Sequence, residues 1–595
     1  MMNTIRNLIQ NKKYWRILIM SLFLGMIMLS CEDYYEVNSV SYFEPENIFM
    51  NVELTRQAVL GIYQLMTRDE GYSKRLSMYY GVDTDIAMCT GSLDNGRRGI
   101  ARYAATSGNE EIYKPWRNLY DGIERANICI KYIAESQLYL DGSEDEQKQM
   151  KRMYGEALTL RALFYYELIR NWGDVPFKTT PYEPGDELNL PKTDRDEIYE
   201  YLINDLLFAE TLVPWRSEVA LDERITKGAV KGLLARIALA RGGYSLRREG
   251  GMQRGSNHLE YYQIARDQCW EIMQSGEHSL NPSYEDVFRT HCELLLDNTY
   301  GESMWEVGMG QGESGESGYY IGTRIDDASR YGRGNPGLQA IPTYYLSFDS
   351  LDTRRDVTIV IYEIDGDNVR LLRNFTNINI AKWRRDWMYP LFPGSAKYLG
   401  INWVLLRYSD VLLMFAEADN ELNHGPSADA VEALRQVRNR AFGENEEYAP
   451  AIPTDYEGFF NDIVQERAWE LGGECLRKYD LIRWNLLETK LNEMKNDLEM
   501  LMNQEGPYEN VPVQVVWRNE GEQIQYLNLT YHLDSLEIAG LDPILWPNVT
   551  DWVSDITPEY INSIAEFFEP NSRELLPIHQ SIVDVNTALE NDYGY

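Results

Sequence analysis

Three glutamates, each one helical turn from the next, are the side chains of this sequence best spaced for acid–base chemistry. Glu466, Glu470 and Glu474 stand at i, i+4 and i+8 within residues 465–485, QERAWELGGECLRKYDLIRWN. Residues so spaced on a helix lie on one face. Two carboxylates held about 5–9.5 Å apart across a cleft hydrolyse glycosidic bonds, one of them acting as the acid. One hypothesis for this stretch is therefore a glycosidase centre.

The same stretch gives each carboxylate a basic neighbour, which favours a structural role. An arginine within one turn keeps a carboxylate ionised and engaged. The oppositely charged pairs three residues apart are Arg467–Glu470, Glu474–Arg477, Arg477–Asp480 and Asp480–Arg483. We predict no catalytic residue here, but a charge clamp that locks the last helix pair to the rest of the fold. The charge clamp consists of Glu466, Arg467, Glu470, Glu474, Arg477, Asp480 and Arg483.

Motifs for cofactors and metals are weaker. Gly310, Gly312 and Gly315 satisfy the spacing GxGxxG, but the sequence GYYIG that follows is no helix start, so a flexible loop is the better interpretation. No HExxH or CxxC occurs, and we predict buried thiols, no metal site and no cofactor. Spacing alone does not decide whether a cysteine and a histidine pair. The cysteines of the body of the chain are Cys89, Cys129, Cys269, Cys292 and Cys475.

Charge and composition restrict the partners. The 57 basic residues are outnumbered by 93 acidic ones, giving a net charge of −36. Nucleic-acid binding needs a basic footprint, so no nucleic acid is expected. Neutral or cationic ligands fit this charge better than anionic ones, although a local basic patch can persist within an acidic whole. Tyrosine and tryptophan, with 42 and 14 copies, supply rigid, amphipathic contact surface.

The first thirty residues are predicted to be a secretory signal peptide. Four basic residues precede an apolar run, 17–29, that is too short for a comfortable membrane span. The run ends in Met-Leu-Ser-Cys, which resembles a bacterial lipobox and predicts cleavage before Cys31 and acylation of this cysteine. A free cysteine after an ordinary signal peptide is the alternative. No later run is long enough to span a bilayer, so the mature protein would be anchored by lipid alone.

Apolar residues then recur at helical spacing in one segment after another, with short polar joints between them. This predicts a mostly α fold built as an array of stacked helix pairs. The strongest helix is expected at 402–422, and residues 69–112 are expected to form a long loop or an irregular excursion. Residues 31–595 are predicted to be a single unit with a helical scaffold at 45–300 and 401–487, mixed, partly β insertions at 301–400 and 488–574, and a tail at 575–595.

Aromatic and charged residues of the irregular segments are the candidate binding residues. Carbohydrates present flat C–H faces that stack on tyrosine and tryptophan, while their hydroxyls need Asp, Asn, Arg or backbone partners. Periodicity gives these residues no obvious core role, although a structural role remains the alternative for each. The predicted ligand-binding residues are Tyr79, Tyr80, Asp85, Arg97, Trp305, Tyr319, Tyr320, Arg324 and Tyr331.

Several motifs, taken in order, resemble the SusD/RagB family of outer-membrane glycan-binding lipoproteins. Each is weak alone, but together they span nearly the whole mature chain. They are W-x3-Y-x2-I-x3-N at Trp116–Asn127, E-A-x3-R-A at Glu156–Ala162, G-D-V-P at Gly173–Pro176, R-I-T-K at Arg224–Lys227, D-x2-R at Asp352–Arg355, L-R-Y-S-D-V-L-L at Leu406–Leu413, and the charge-clamp stretch. His579 and Asp592-Tyr593 depart from the family's closing pattern, and neither is expected to change the fold.

The resemblance implies both a fold and a function. The fold would be a tetratricopeptide-like scaffold of about four helix pairs with an irregular ligand-binding side. The function would be that of a surface lipoprotein that binds an oligosaccharide or polysaccharide and hands it to a SusC-like TonB-dependent transporter. Glu32-Asp33, directly after Cys31, also resembles the surface-export signal of Bacteroidetes lipoproteins. The family's binding residues vary with the glycan, so none is carried over by position.

Two alternative functions remain, a surface glycoside hydrolase and a repeat protein that binds peptide or another nutrient. A binding protein leaves an oligosaccharide intact, whereas a hydrolase releases shorter products. The lipobox and the aromatic loops favour the glycan-binding protein over a peptide adaptor. We expect alanine substitution of Tyr319 or Tyr320 to weaken glycan binding, and the acidic charge favours a neutral glycan.

Overall fold

The computed structural model describes residues 45–392, 394 and 396–595. The signal peptide and the lipidation predicted for residues 1–31 lie outside this range. Helices dominate the described chain, which confirms the predicted mostly α fold. The described helices of 15 residues or more are α1 (Val52–Met66), α2 (Glu110–Glu135), α3 (Glu144–Trp172), α4 (Arg195–Ala209), α5 (Lys227–Gly242), α6 (His258–Ser275), α7 (Tyr408–Asn423), α8 (Ala428–Phe442), α9 (Tyr456–Leu471) and α10 (Leu487–Asn503).

Polar caps determine where several of these helices begin. At the start of α3, Ser143 Oγ accepts the backbone N–H of Glu146, and the Glu146 carboxylate accepts the N–H of Ser143. Asn51, Asp194 and Asp455 accept N–H groups in the same way at the starts of α1, α4 and α9. The first turn of a helix has N–H groups without internal partners, so each cap contributes about 0.5–2 kcal/mol.

Consecutive helices pack side by side along the array. Helix α1 packs on α2 and α3, α3 on α4, α4 on α5, α5 on α6, α6 on α7, and α7 on α8 and α9. Glycines allow some of these elements to approach closely. Gly122 of α2 faces Phe164 of α3, where an added Cβ would lie 2.3 Å from Cε2, and Gly232 of α5 faces Leu406, where it would lie 2.1 Å from Cδ2. Within the described ranges, no helix is both long and apolar enough to cross a membrane.

Replacing Gly122 by alanine is expected to lower the free energy of unfolding by about 1–3 kcal/mol. The Phe164 ring is only 1% exposed and has no room to move away from a new methyl group. Gly61 in α1 is the matched control, because a Cβ there would come no closer than 3.7 Å to Arg125. Alanine at position 61 should leave stability unchanged or raise it by up to about 1 kcal/mol. Urea unfolding followed by circular dichroism measures both variants, and equal stabilities would contradict the packing argument.

Short strands form six small sheets in the described chain. A four-stranded antiparallel sheet has the order β1-β8-β12-β9, and a three-stranded sheet has the order β11-β10-β7. In the first sheet, Met88 lies opposite Gln339, which lies opposite Asn379. The strands are β1 (Ala87–Cys89), β2 (Val175–Pro176), β3 (Lys192–Thr193), β4 (Ser245–Arg247), β5 (Gly251–Gln253), β6 (Ser303–Val307), β7 (Arg324–Ile325), β8 (Leu338–Ala340), β9 (Ile359–Val360), β10 (Tyr362–Ile364), β11 (Arg370–Leu372), β12 (Asn379–Ile380), β13 (Trp403–Arg407), β14 (Gln514–Glu520), β15 (Gln523–Tyr526) and β16 (Asn548–Asp551).

The prediction for one segment is wrong, and that for a second needs a correction. The helix expected over 402–422 is divided, because the apolar run WVLLR finds a partner in β6 and becomes strand β13, and α7 begins only at Tyr408. Residues 69–112 are not a simple loop. They contain β1 and two short helices, Arg75–Met78 and Arg97–Ala101, and residues 71–90 are mostly buried.

Candidate functional site

The carboxylates of the charge clamp are buried and paired with basic side chains. Glu470 accepts hydrogen bonds from Arg407 at 2.8 Å and from Arg440 at 2.7 Å. Glu466 accepts one from Arg354 at 2.6 Å. Both glutamates are 0% exposed. A carboxylate without exposed surface does not reach a substrate, so the geometry favours a structural clamp over a glycosidase centre at this stretch.

The partners within the charge clamp are mostly not those that the spacing predicted. In the part of the chain that the structure describes, only Asp480–Arg483 forms among the four pairs, at 2.8 Å. Arg467 instead binds Asp410 of α7 at 2.6 Å and Asp480 at 2.8 Å. Helix α9 ends at Leu471, so residues on either side of Gly472 do not share one helical face. Buried charges take partners from neighbouring elements because only these complete their pairing.

Asp85 is bound to the charge clamp. Its carboxylate accepts hydrogen bonds from Nε of Arg477 at 2.9 Å and from Nη2 at 2.6 Å. The pair ties residues 69–112 to the short helix Arg477–Arg483. A carboxylate held in this way is not available to a ligand, so the structure corrects the prediction of Asp85 as a ligand-binding residue.

Five of the six predicted aromatic binding residues are core residues: Tyr79, Tyr80, Trp305, Tyr319 and Tyr320. Tyr80 is 1% exposed, and its hydroxyl donates to the carbonyl of Glu111 at 2.6 Å. Trp305 lies in β6 and is 4% exposed, and Tyr319 is 8% exposed. Stacking on a sugar needs an open ring face, so the expectation that these rings lack a core role is wrong. Tyr331 is half-buried and lies outside the pocket described next.

Arg97 and Arg324, two further predicted residues, line one pocket of about 290 Å³. We call it the arginine–amide pocket, because four guanidinium groups and four side-chain amides line it and no Asp or Glu does. Such groups donate several hydrogen bonds each in fixed directions. The lining residues are Thr90, Gly91, Arg97, Arg98, Arg324, Asn335, Pro336, Gln339, Arg373, Asn377 and Asn379.

Two small sheets hold these side chains in place. Thr90 directly follows β1, Gln339 lies in the adjacent strand β8, and Asn379 lies in β12 beyond it. The N–H of Thr90 donates to the carbonyl of residue 337 at 3.0 Å, which extends the β1–β8 pairing. Arg324 lies in β7 of the three-stranded sheet, and Arg373 follows β11 of the same sheet. The pocket therefore depends on tertiary pairing between distant segments.

Two buried tyrosine rings pack behind Arg97: Tyr320 contacts its guanidinium group, and Tyr79 contacts Tyr320. The guanidinium carbon of Arg97 lies 4.9 Å from the ring centroid of Tyr320, and the ring of Tyr79 lies 5.7 Å from that of Tyr320. Both tyrosines are buried. Gly337 packs directly on Tyr320, where an added Cβ would lie 2.1 Å from Cζ. The rings therefore hold Arg97 in position and do not present a stacking face. The structure thus brings together Tyr79, Arg97, Tyr320 and Arg324 of the nine predicted residues.

The sequence reasoning missed six arginine and amide side chains of the pocket. Asn377 and Asn379 alternate with isoleucines in NFTNINI (374–380), a period-two pattern that indicates a half-buried strand with one polar face. Of the other four, Gln339 lies in β8 and Arg373 directly follows β11, so the pairing of distant strands brings them to the pocket. Arg98 lies in the short helix Arg97–Ala101, and Asn335 lies outside the strands. The missed residues are Arg98, Asn335, Gln339, Arg373, Asn377 and Asn379.

The geometry of the described residues does not indicate a metal centre. Among the described residues, no group of three or more His, Cys, Asp or Glu side chains is arranged to hold a metal ion. Cys89, Cys129, Cys269 and Cys292 are buried free thiols, as predicted, and Cys475 is a half-buried one.

Two family models match this chain. Residues 301–595 match the model of the SusD family, and residues 34–239 match a model described as starch-binding associating with outer membrane. A SusD-like protein of Formosa agariphila is 28% identical over 513 residues, covering 79% of this chain and 90% of the relative. The chain belongs to the SusD/RagB family. The family predicted from the sequence motifs is thereby confirmed.

Solved structures share the SusD/RagB fold over almost the whole chain. The structure of a SusD homologue from Bacteroides thetaiotaomicron has a TM-score of 0.75 at 25% identity and covers 93% of this chain and 98% of its own. Surface glycan-binding protein A of the same organism, in complex with laminarihexaose, has a TM-score of 0.61 at 19% identity and covers 91% of this chain and 99% of its own. At that identity the second similarity shows the fold alone.

This SusD/RagB protein has a second, larger cleft of about 410 Å³. Two of its arginines, Arg289 and Arg384, lie 5.2 and 4.4 Å from the ring of Trp387. Arg289 pairs with Glu285 at 2.7 Å, and Arg384 donates to the carbonyl of Ala381 at 2.9 Å. These arginines are engaged within the protein, and none of the nine predicted binding residues lines the cleft.

Proposed function

We propose that this protein binds an oligosaccharide in the arginine–amide pocket and hands it to a SusC-like TonB-dependent transporter of the outer membrane. It would do so as a surface lipoprotein anchored through Cys31. The observation that carries the binding proposal is the convergence of four guanidinium groups and four amides on one pocket of about 290 Å³. Sugar hydroxyls require such directional polar partners. Membership of the SusD/RagB family, and a relative in fold named as a glycan-binding protein, support it.

Binding without cleavage is the activity that this pocket supports. Glycosidic hydrolysis uses two carboxyl groups flanking the scissile bond, and no Asp or Glu of the described ranges lines the pocket. A hydrolase and a binding protein are separated by incubating the protein with an oligosaccharide and analysing the products by chromatography. We expect the oligosaccharide to remain intact.

The transporter partnership rests on the family. The outer-membrane association in the description of the matching model agrees with a lipid anchor at this membrane. Co-purification of a TonB-dependent transporter with the tagged, membrane-extracted protein tests this part of the proposal. Cys31→Ala should release the protein from the membrane fraction, whereas continued membrane association of this variant would contradict the anchor.

Replacing Asn335 by alanine is expected to weaken oligosaccharide binding about tenfold, which corresponds to one or two lost hydrogen bonds. The side chain is exposed at the pocket, so the melting temperature should not change. Isothermal titration calorimetry with hits from an array of neutral and anionic oligosaccharides and peptides measures the affinity. Gln523→Ala in the second cleft is the matched control.

The pair of variants distinguishes the two possible sites. Lost affinity in Gln523→Ala together with normal affinity in Asn335→Ala would move the site to the second cleft. A peptide hit without any oligosaccharide hit would favour the repeat-protein alternative. Tyr320→Ala should weaken binding only by releasing Arg97, because the ring itself is covered.

A further inference from the structure

The arginine–amide pocket has more positive charge than the binding of neutral hydroxyls requires. Two carboxylates outside its lining pair with its arginines: Asp94 with Arg98, and Glu363 with both Arg324 at 3.4 Å and Arg373 at 3.6 Å. Two carboxylates against four guanidinium groups leave a local surplus of two positive charges. This surplus occurs in a chain whose net charge is −36.

Arg97 is the arginine of the pocket without a counter-ion among the described residues. Its Nε is buried and has no hydrogen-bond partner among the residues that the structure describes. Its guanidinium lies over the ring of Tyr320, 4.9 Å from the centroid. A cation–π contact fixes the position of a guanidinium without neutralising its charge. The planar fork of Arg97 is therefore held ready for an acceptor with two oxygens, the geometry that carboxylates and sulfates offer.

Arg324 and Arg373 share a single carboxylate, that of Glu363, which neutralises only one of their two positive charges. Burial lowers the pKa of Arg373 below its ordinary value; Glu363 opposes this shift and the nearby charge of Arg324 adds to it. The side chain of Arg324 is 52% exposed, so it is accessible to a ligand from solvent. A bound anion would reduce the repulsion between the two guanidinium groups.

Four arginines also line the second cleft, but two carboxylates stand in its own wall, where Glu285 pairs with Arg289 and Asp356 with Arg355 at 2.9 Å. No described carboxylate stands in the wall of the arginine–amide pocket. The expectation of a neutral ligand came from the net charge of the chain. At physiological ionic strength, however, charges more than about 8 Å away are largely screened. The charges at the pocket wall, and not those of the whole chain, therefore decide which ligand is favoured.

We infer that the arginine–amide pocket selects an anionic group of the glycan, a uronate carboxylate or a sulfate ester, which Arg97 and Arg324 bind. The inference rests on the proposed glycan binding at the same pocket. A carboxylate and a sulfate share the chemistry of two or three acceptor oxygens around one negative charge. An unsubstituted neutral glycan would leave the surplus charge of the pocket uncompensated.

Titration calorimetry on the purified mature protein with two matched ligand pairs tests the inference. One pair is oligogalacturonate and its carboxyl-reduced neutral form, and the other is a sulfated galactan oligosaccharide and its desulfated form. We expect one anionic ligand to bind at least about tenfold more tightly than its neutral counterpart. The difference should shrink as the ionic strength rises. The pair that shows the preference distinguishes a uronate from a sulfate.

Arginine variants connect this preference to the pocket. Arg97→Gln and Arg324→Gln should each weaken binding of the anionic ligand about tenfold or more and weaken binding of the neutral counterpart less, so that the ratio of the two affinities falls toward one. Arg289→Gln in the second cleft is the control and should change neither affinity. If Arg97→Gln lowers the melting temperature, the more exposed Arg324→Gln still provides the measurement.

The outcomes distinguish a failure of the anion selectivity from a failure of the proposed glycan binding. Equal affinity for charged and neutral partners, or unchanged affinity in both arginine variants, would overturn the anion selectivity and leave glycan binding standing. Binding only of other, neutral oligosaccharides from the array would have the same consequence. Failure of every oligosaccharide, neutral or anionic, to bind would overturn the proposed function itself.

Discussion

Replacing Glu470 by glutamine is expected to lower the free energy of unfolding by about 3–5 kcal/mol. The side chain is 0% exposed, and its carboxylate contacts the guanidinium groups of Arg354, Arg407 and Arg440 at 3.3, 2.8 and 2.7 Å. Glutamine preserves the shape but removes the charge, so three buried cations lose part of their compensation. Charges are poorly screened in the protein interior. Urea unfolding at neutral pH, followed by tryptophan fluorescence, measures the loss.

Glu432→Gln is the matched control for this experiment. Glu432 pairs with Arg435 on the surface of α8, and its side chain is 50% exposed. Exposed pairs of this kind contribute about 0–1 kcal/mol, so the control should unfold nearly as the wild type does. At temperatures where Glu470→Gln remains folded, it should bind oligosaccharide normally. Normal unfolding combined with lost binding would contradict a structural role for the charge clamp.

The scaffold could be predicted from the sequence because helical periodicity is a local property. Leu119, Ile123, Ala126, Ile130 and Ile133 recur at helical spacing, and all of them lie within α2, Glu110–Glu135. Prediction failed where a distant partner decides between two local structures. Residues Trp403–Arg407 continue the apolar stripe of a helix, yet they form a strand because β6 lies beside them.

The charge clamp and the pocket show the same limit for side chains. The composition of the clamp indicated a buried structural network, but most of its pairs join distant segments, and Arg477 and its partner Asp85 are 392 residues apart in the chain. Arg97 and Arg324 were predicted as binding residues from their irregular surroundings. The amides between them were not, because the pairing of β1 with β8 and of β8 with β12 brings them together. Aromatic composition misled the site prediction, since the rings of Tyr80 and Trp305 complete the core.

The stability of the protein is expected to fall steeply as the pH drops below about 4. Burial alone would raise the pKa of Glu470, but Arg440, Arg407 and Arg354 outweigh it and hold the pKa well below the ordinary value. The same competition, with Arg467 as the main cation, depresses the pKa of Asp410 and of Asp480. In this range the unfolded chain binds protons that the folded chain does not, so protonation favours unfolding.

The magnitude follows from the number of groups. Each group contributes at most about 1.4 kcal/mol per pH unit, so three groups together contribute about 4 kcal/mol per unit. The three carboxylates contribute their full stabilisation above the ordinary carboxyl pKa. This stabilisation is lost as the pH falls through their depressed pKa values in the folded state. Asp83 acts in the opposite direction, because burial raises its pKa to about 6. Its folded form keeps a proton that the unfolded chain releases, so stability should decline modestly as the pH rises from about 4 to 6.

Urea unfolding as a function of pH resolves these contributions through its slope. Glu470→Gln should reduce the slope below pH 4 by about one proton, or about 1.4 kcal/mol per pH unit, in addition to lowering stability at neutral pH. Asp83→Asn should instead remove the decline between about pH 4 and 6 and leave the acid limb unchanged. An acid limb in Glu470→Gln as steep as in the wild type would show that Glu470 is not ionised by its arginines in the folded state. The network would then derive its stability from packing and hydrogen bonds and not from charge.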